Sequence, residues 1–211
     1  MEVSLDPIEV RVLGALMEKE VTTPDSYPLS LNALAAACNQ KSCRDPVVNY
    51  EEATVREALE RLRGKGLAAV ISGGGARVPK YRQRLTERLN LGRREAALLC
   101  VLMLRGAQTP GELRAHGAPL YGFSDIEEVL SCLERLRERT PPLVAVLPRQ
   151  PGSREHRYVH LLAGLPPAAE ARSAPPPVQA SPDRLAALEA EVAALRAEIE
   201  EIKRRLDLGA T

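Results

Sequence analysis

The sequence predicts an α+β fold, mainly helical with small β-hairpins, in which one module is used twice and a heptad-patterned helix follows. Three observations carry this expectation. Apolar residues recur with the helical period in six segments before residue 140. After each set of three helices come two short strand-like runs separated by turn residues. The chain also repeats itself: Leu5, Glu9, Leu13, Leu16 and Met17 recur as Leu91, Glu95, Leu99, Leu102 and Met103. Farther on, Leu59-Glu60-Arg61-Leu62-Arg63 returns as Leu133-Glu134-Arg135-Leu136-Arg137. The same order at changing offsets means one module with a longer internal loop in its first copy.

The first helix starts at Asp6, a short acceptor side chain followed by Pro7 and by Glu9 at the third position, the pattern of a capping box. Ile8, Val12, Leu13, Leu16 and Met17 keep the period to about Glu20. Ser30 caps a short helix ending near Cys38, and a third helix runs from about Glu51 to Lys65, stopped by Gly66. A hairpin of Leu67–Ile71 and Arg77–Arg82 closes the copy across Ser72-Gly73-Gly74-Gly75. The second copy has helices at about 92–105, 109–115 and 124–139. Thr109 with Glu112, and Ser124 with Glu127, fit capping boxes. Its hairpin is Val144–Leu147 with Arg157–Leu162. Three helices and a terminal hairpin describe a winged helix, so the expected architecture is a tandem pair, 1–88 and 89–164.

Tyr27-Pro-Leu-Ser-Leu-Asn-Ala-Leu-Ala-Ala-Ala-Cys38-Asn39-Gln40-Lys41-Ser42, followed by Arg44-Asp45-Pro46-Val47, resembles the signature of the YceH-like proteins, a bacterial family of two winged-helix modules. Leu104-Arg105-Gly106-Ala107-Gln108-Thr109-Pro110-Gly111-Glu112 and Arg157-Tyr158-Val159-His160-Leu161-Leu162 are similar to it as well. Cys43 stands where that family's pattern has Asn. The resemblance covers about residues 5–163 and implies a DNA-binding-like architecture without an activity.

Charge narrows the partners. Lys and Arg number 29 against 28 acids, so nucleic-acid binding must come from a local patch. Aromatics are 3%, with no Trp and one Phe, which argues against a stacking platform for single strands. The third helix is the one that would enter the major groove. Its first copy offers Arg56 but also Glu57 and Glu60 on the face opposite Val55, Leu59 and Leu62. Its second copy carries Asp125, Glu127, Glu128, Glu134 and Glu138. Carboxylates facing the groove repel phosphates. Cations gather instead on Arg77, Lys80 and Arg82 of the first wing, within a run to Arg94 that holds one acid, Glu87. The loop before the third helix adds Asn39, Gln40, Lys41, Ser42 and Arg44, residue types that bond phosphate oxygens. Their competing role is to hydrogen-bond their own loop into shape.

No set of nucleophile, acid and base converges, so no catalytic residue is expected. No cofactor is expected, and no metal either: Cys38 and Cys43 lack a second ligand pair at zinc spacing. Met1 is followed by Glu2, Asp6 and Glu9 rather than a basic start and apolar run, and no stretch reaches a membrane span. The expectation is therefore a cytoplasmic protein with reduced thiols and no membrane contact. The functional expectation is a non-enzymatic regulator, transcriptional or nucleoid-associated, that binds double-stranded DNA. The alternative is an adaptor whose winged helices bind another protein.

After Gly164 a Pro- and Ala-rich linker, 165–181, precedes a helix over 182–208. Leu185, Leu188, Val192, Leu195, Ile199, Ile202 and Leu206 alternate three- and four-residue spacings, an unbroken a/d seam. In a parallel homodimer the g and e residues pair Arg184 with Glu189, Glu191 with Arg196 and Glu198 with Lys203, all of opposite sign. The competing reading is an amphipathic helix that packs on its own chain.

Overall fold

Asp6 opens the first element as its sequence demands. In the computed structural model, which describes residues 3–71, 78–149 and 155–164, the Asp6 carboxylate accepts from the Ile8 and Glu9 amides, both at 2.8 Å. Glu9 returns the bond by accepting from the Asp6 amide at 2.8 Å. This reciprocal cap starts α1, Pro7–Thr22. A single 3-10 turn, Pro24–Ser26, leads to β1, Leu29–Ser30. Ser30 then caps α2, Leu31–Cys38, by accepting from the Ala33 amide. A long loop brings the chain to α3, Glu52–Gly64, and Gly66 ends that helix at φ +70°, a conformation open to glycine at little cost. β2, Ala68–Ile71, and β3, Lys80–Gln83, follow.

A short helix α4, Leu85–Arg88, joins the halves. The second half has α5, Arg93–Arg105, α6, Pro110–Gly117, and α7, Ile126–Arg137, then β4, Val144–Val146, and β5, Tyr158–His160. The fold is thus mixed α and β, seven helices with small antiparallel sheets among the described residues. The expected linker and heptad helix lie outside them.

Besides α4, for which the sequence reading has no counterpart, two details depart from that reading. Ser124 is not the cap of α7. Asp125 is, accepting from the Glu128 amide at 2.8 Å, while the Glu128 carboxylate turns back to the Ser124 amide and hydroxyl. A carboxylate three residues before a free amide outcompetes the neighbouring hydroxyl, so the box shifts by one residue. The other is β1, two residues with no strand pattern, which pairs Leu29 with Tyr81 and Ser30 with Lys80 to make a three-stranded order β1-β3-β2. The second half reproduces it with one bridge, Gln108 to Tyr158, immediately before the Thr109 cap of α6.

Both halves share one continuous core. All described residues belong to a single compact unit, Met1–Pro167. The seam is α1 against α5. A Cβ on Gly14 would lie 3.0 Å from Leu104 Cδ2, and Cys100 Sγ donates to the Gly14 carbonyl at 3.4 Å, so the α1 backbone at Gly14 packs directly on α5 side chains. Asp45 of the long loop adds a backbone bond to the Leu104 carbonyl at 2.9 Å.

Candidate nucleic-acid interface

The polar loop between α2 and α3 is built around two buried guanidinium groups. Arg44 has a side chain with no exposed area. It bonds both oxygens of Glu18, at 2.9 and 2.6 Å, the carbonyls of Ala37 and Cys43, and Gln40 Oε1 at 2.9 Å. Arg11, also buried, donates to the carbonyls of Cys38 and Pro46 at 3.1 and 2.6 Å. Burial and the neighbouring Arg44 charge lower the Arg11 pKa from its usual value. Burial alone would raise the Glu18 carboxyl, but the hydrogen bond and charge of Arg44 outweigh it and hold that carboxyl below the usual range.

These contacts reassign part of the expected site. Arg44 is a strut of the loop, with no face toward solvent, because its donors are spent on Glu18 and on backbone carbonyls. Asn39 is likewise committed: its amide nitrogen donates to the Tyr50 carbonyl at 2.8 Å and its oxygen accepts from the Tyr50 amide at 2.7 Å. Gln40 is held by Arg44. That leaves Lys41 and Ser42 exposed at the loop's outer edge.

On α3, Val55, Ala58, Leu59 and Leu62 are buried, and Ala53, Arg56, Glu57 and Glu60 face out. Two of the acids are engaged within the chain. Glu52 accepts from Asn32 at 2.8 Å, and Glu60 pairs with Arg63 at 2.7 Å. At its C-terminal end Arg61 pairs with Asp6 at 3.0 Å, and Lys65 pairs with fully buried Glu9 at 2.6 Å. Arg56 is in no ion pair among the described residues.

β3 alternates half-buried Lys80 and Arg82 with buried Tyr81 and Gln83, so the two cations share a face. Lys80 is in no ion pair among the described residues, whereas Arg82 pairs with Glu87 at 3.1 Å, a carboxylate it shares with Arg84. Arg77 lies outside the described residues. Farther along the basic run, Arg94 pairs with Glu128 of α7 at 2.8 Å and lies 5.5 Å from the Tyr121 ring centre. The outward face of α7 carries Glu127 and Glu134, the latter paired with Arg137, and Glu138 follows as the C-cap.

Comparison with known proteins bears on lineage. A family model described as "Protein of unknown function, DUF480" matches residues 5–153. A UPF0502 protein of Solibacter usitatus is 56% identical over 210 residues, covering 98% of this chain and 100% of that one. A second, from Geotalea uraniireducens, is 52% identical over 213 residues, covering 98% and 97%. The chain belongs to the DUF480/UPF0502 family. That membership agrees with the YceH-like resemblance of the Tyr27–Val47 signature. In this UPF0502 member the signature's middle, Ala37 to Pro46, is the stretch held by the two buried arginines. No described helix is long and apolar enough to cross a membrane.

Proposed function

We propose that the chain is a non-enzymatic regulator made of two tandem winged-helix modules, 1–88 and 89–164, which acts as a homodimer and binds double-stranded DNA through its first module. One observation carries the reading. Lys41 on the loop, Arg56 on α3 and Lys80 on β3 are in no ion pair among the described residues, while of the outward acids of α3 Glu52 and Glu60 are engaged within the chain and Glu57 alone stands against Arg56. Cations free to meet phosphate, spread over the helix, loop and hairpin of one module, are the footprint of a protein that grips the backbone on both sides of a groove. Arg82 would have to leave Glu87 to join them. Arg44, Asn39 and Gln40 serve the interface by fixing the loop that displays Lys41 and Ser42.

A DNA shift assay on the intact chain at graded salt tests this. Replacing Lys41, Arg56 and Lys80 together by Ala is expected to weaken binding to all duplex sequences alike. The salt slope should fall by roughly 0.9 for each phosphate that the variant no longer neutralises. A folded sample without measurable duplex affinity at low salt would overturn the DNA reading. It would favour the adaptor, for which Glu127 on the outward face of α7 and Glu138 at its C-cap offer acids to a basic protein.

The dimer rests on the a/d seam from Leu185 to Leu206. Sedimentation of the intact chain is expected to give a dimer, and the double substitution Leu195→Glu, Ile199→Glu a monomer. A monomeric intact chain at tens of micromolar would remove the dimer from the proposal. An antiparallel cross-linking pattern would remove the parallel orientation.

A further inference from the structure

We infer that the cavity between α1 and α5 is a binding site for a small amphoteric molecule with an apolar body, of the class of the apolar α-amino acids. The cavity measures about 340 Å³, within the roughly 300–1,000 Å³ of small-ligand sites. Its floor is apolar: Met17 from α1, Ala97 and Cys100 from α5, and Leu120 from the loop after α6. Two charged side chains line it, Glu20 and Arg93.

The two charges stand at the same end. Gly14 lies against Leu104 and Met103, and Met17 shares the cavity with Cys100, so α1 and α5 run antiparallel. Following α1 forward to Glu20 therefore means following α5 back to Arg93, its first residue. The cavity thus has an apolar floor and a mouth carrying one carboxylate and one guanidinium. Arg93 is exposed and in no ion pair among the described residues, and Glu20 is not paired with it. One Glu20 oxygen accepts from Gln83 Nε2 at 2.6 Å, leaving the other for a ligand. A carboxylate on Arg93, an ammonium on Glu20 and an apolar side chain over Met17, Ala97 and Cys100 satisfy all three features at once. A simple fatty acid would leave Glu20 beside its own carboxylate, and an amine would leave Arg93 unanswered. Because the walls come from both copies of the repeat, the ligand would bear on the α1–α5 seam. Through Glu20 and Gln83 it would also touch β3, independently of whether β3 contacts DNA.

Calorimetric or NMR titration of the intact chain with L-leucine, L-methionine and L-phenylalanine tests the site. At least one is expected to bind. 4-Methylpentanoate, which lacks the ammonium, and isoamylamine, which lacks the carboxylate, should each bind roughly tenfold or more weakly than leucine, the scale of one charge-assisted hydrogen bond. Arg93→Glu should abolish amino-acid binding. Glu20→Gln, which keeps an acceptor for Gln83, should weaken the amino acid while sparing 4-methylpentanoate. Both variants should unfold at the temperature of the parent within the error of a surface change, since Arg93 is exposed and the Glu20→Gln change preserves its hydrogen bond. Absence of binding by all three amino acids at millimolar concentration overturns the assignment. So does 4-methylpentanoate binding as tightly as leucine, or amino-acid binding that both variants leave unchanged.

Discussion

Arg44→Leu is expected to lose about 3–5 kcal/mol of stability in urea unfolding, the usual cost of breaking a buried ion pair from one side. The substitution takes from the Glu18 carboxylate, with a side chain only 14% exposed, the stronger of its two cationic partners, leaving Lys19 at 3.5 Å, and frees the Ala37 carbonyl inside the core. The loss should not be repaired by salt, because the pair is shielded from solvent. The double variant Glu18→Leu, Arg44→Leu is expected to be more stable than the single one, since it removes the stranded charge together with its partner. A single variant as stable as the parent would mean the loop is held by other contacts. DNA affinity per folded molecule should fall in the double variant without a change in its salt slope, which separates a strut from a phosphate contact.

That arginine reads as a phosphate contact in the sequence for a physical reason. Asn39-Gln40-Lys41-Ser42 and Arg44 look alike in a string of polar residues, and nothing in their order says which ones turn inward. The signal lies elsewhere. Arg11 and Glu18 sit on α1, and Arg11 falls among Val10, Val12 and Leu13 in a stretch buried from Glu9 to Met17. A helix buried on all sides needs polar partners from the next element for any charge it carries. Those partners are the carbonyls of Cys38 and Pro46 and the guanidinium of Arg44. The match is one of three-dimensional neighbours separated by some 26 residues, which no period in the sequence encodes.

The helices were legible because their causes are local. Asp6, Ser30 and Thr109 cap where a short acceptor precedes an apolar period, and Gly66 stops α3 where a positive φ is needed. The repeat was legible for the same reason, and its Tyr81 and Tyr158 take matching places, one opposite Leu29 and the other opposite Gln108. β1 was not, because two residues show no alternation and are strand only through the partner they meet. The shared core was not, because Leu99 and Leu102 read equally well as facing their own module or the other. Gly14, a small residue amid α1's apolar run, marks the close approach, but a lone glycine in a helix does not say which neighbour it admits.

Acid should reveal the second large effect, at His160. Its ring lies buried on β5, opposite Val144, and its Nδ1 has no hydrogen-bond partner. Burial favours the neutral ring and lowers the pKa from 6.5 to about 4. The unfolded chain takes up a proton near 6.5, whereas the folded one resists until about 4, so between those values the unfolded state binds more protons and stability falls as the pH is lowered. His160 therefore contributes its full share above pH 6.5. At about 1.4 kcal/mol per pH unit, about 3 kcal/mol of that share is gone by pH 4. Glu18 and Asp6, whose carboxyls lie below their usual values, add their own losses only below the ordinary carboxylate range. His160→Leu removes the titrating ring and keeps an apolar side chain in the same site. Urea unfolding at steps from pH 7 to pH 4 should show the parent's stability falling more steeply than the variant's, with the difference confined to the window between 6.5 and 4. Parallel curves would mean that His160 is protonated as readily in the folded protein as in the unfolded chain, and that its orphaned nitrogen reaches water.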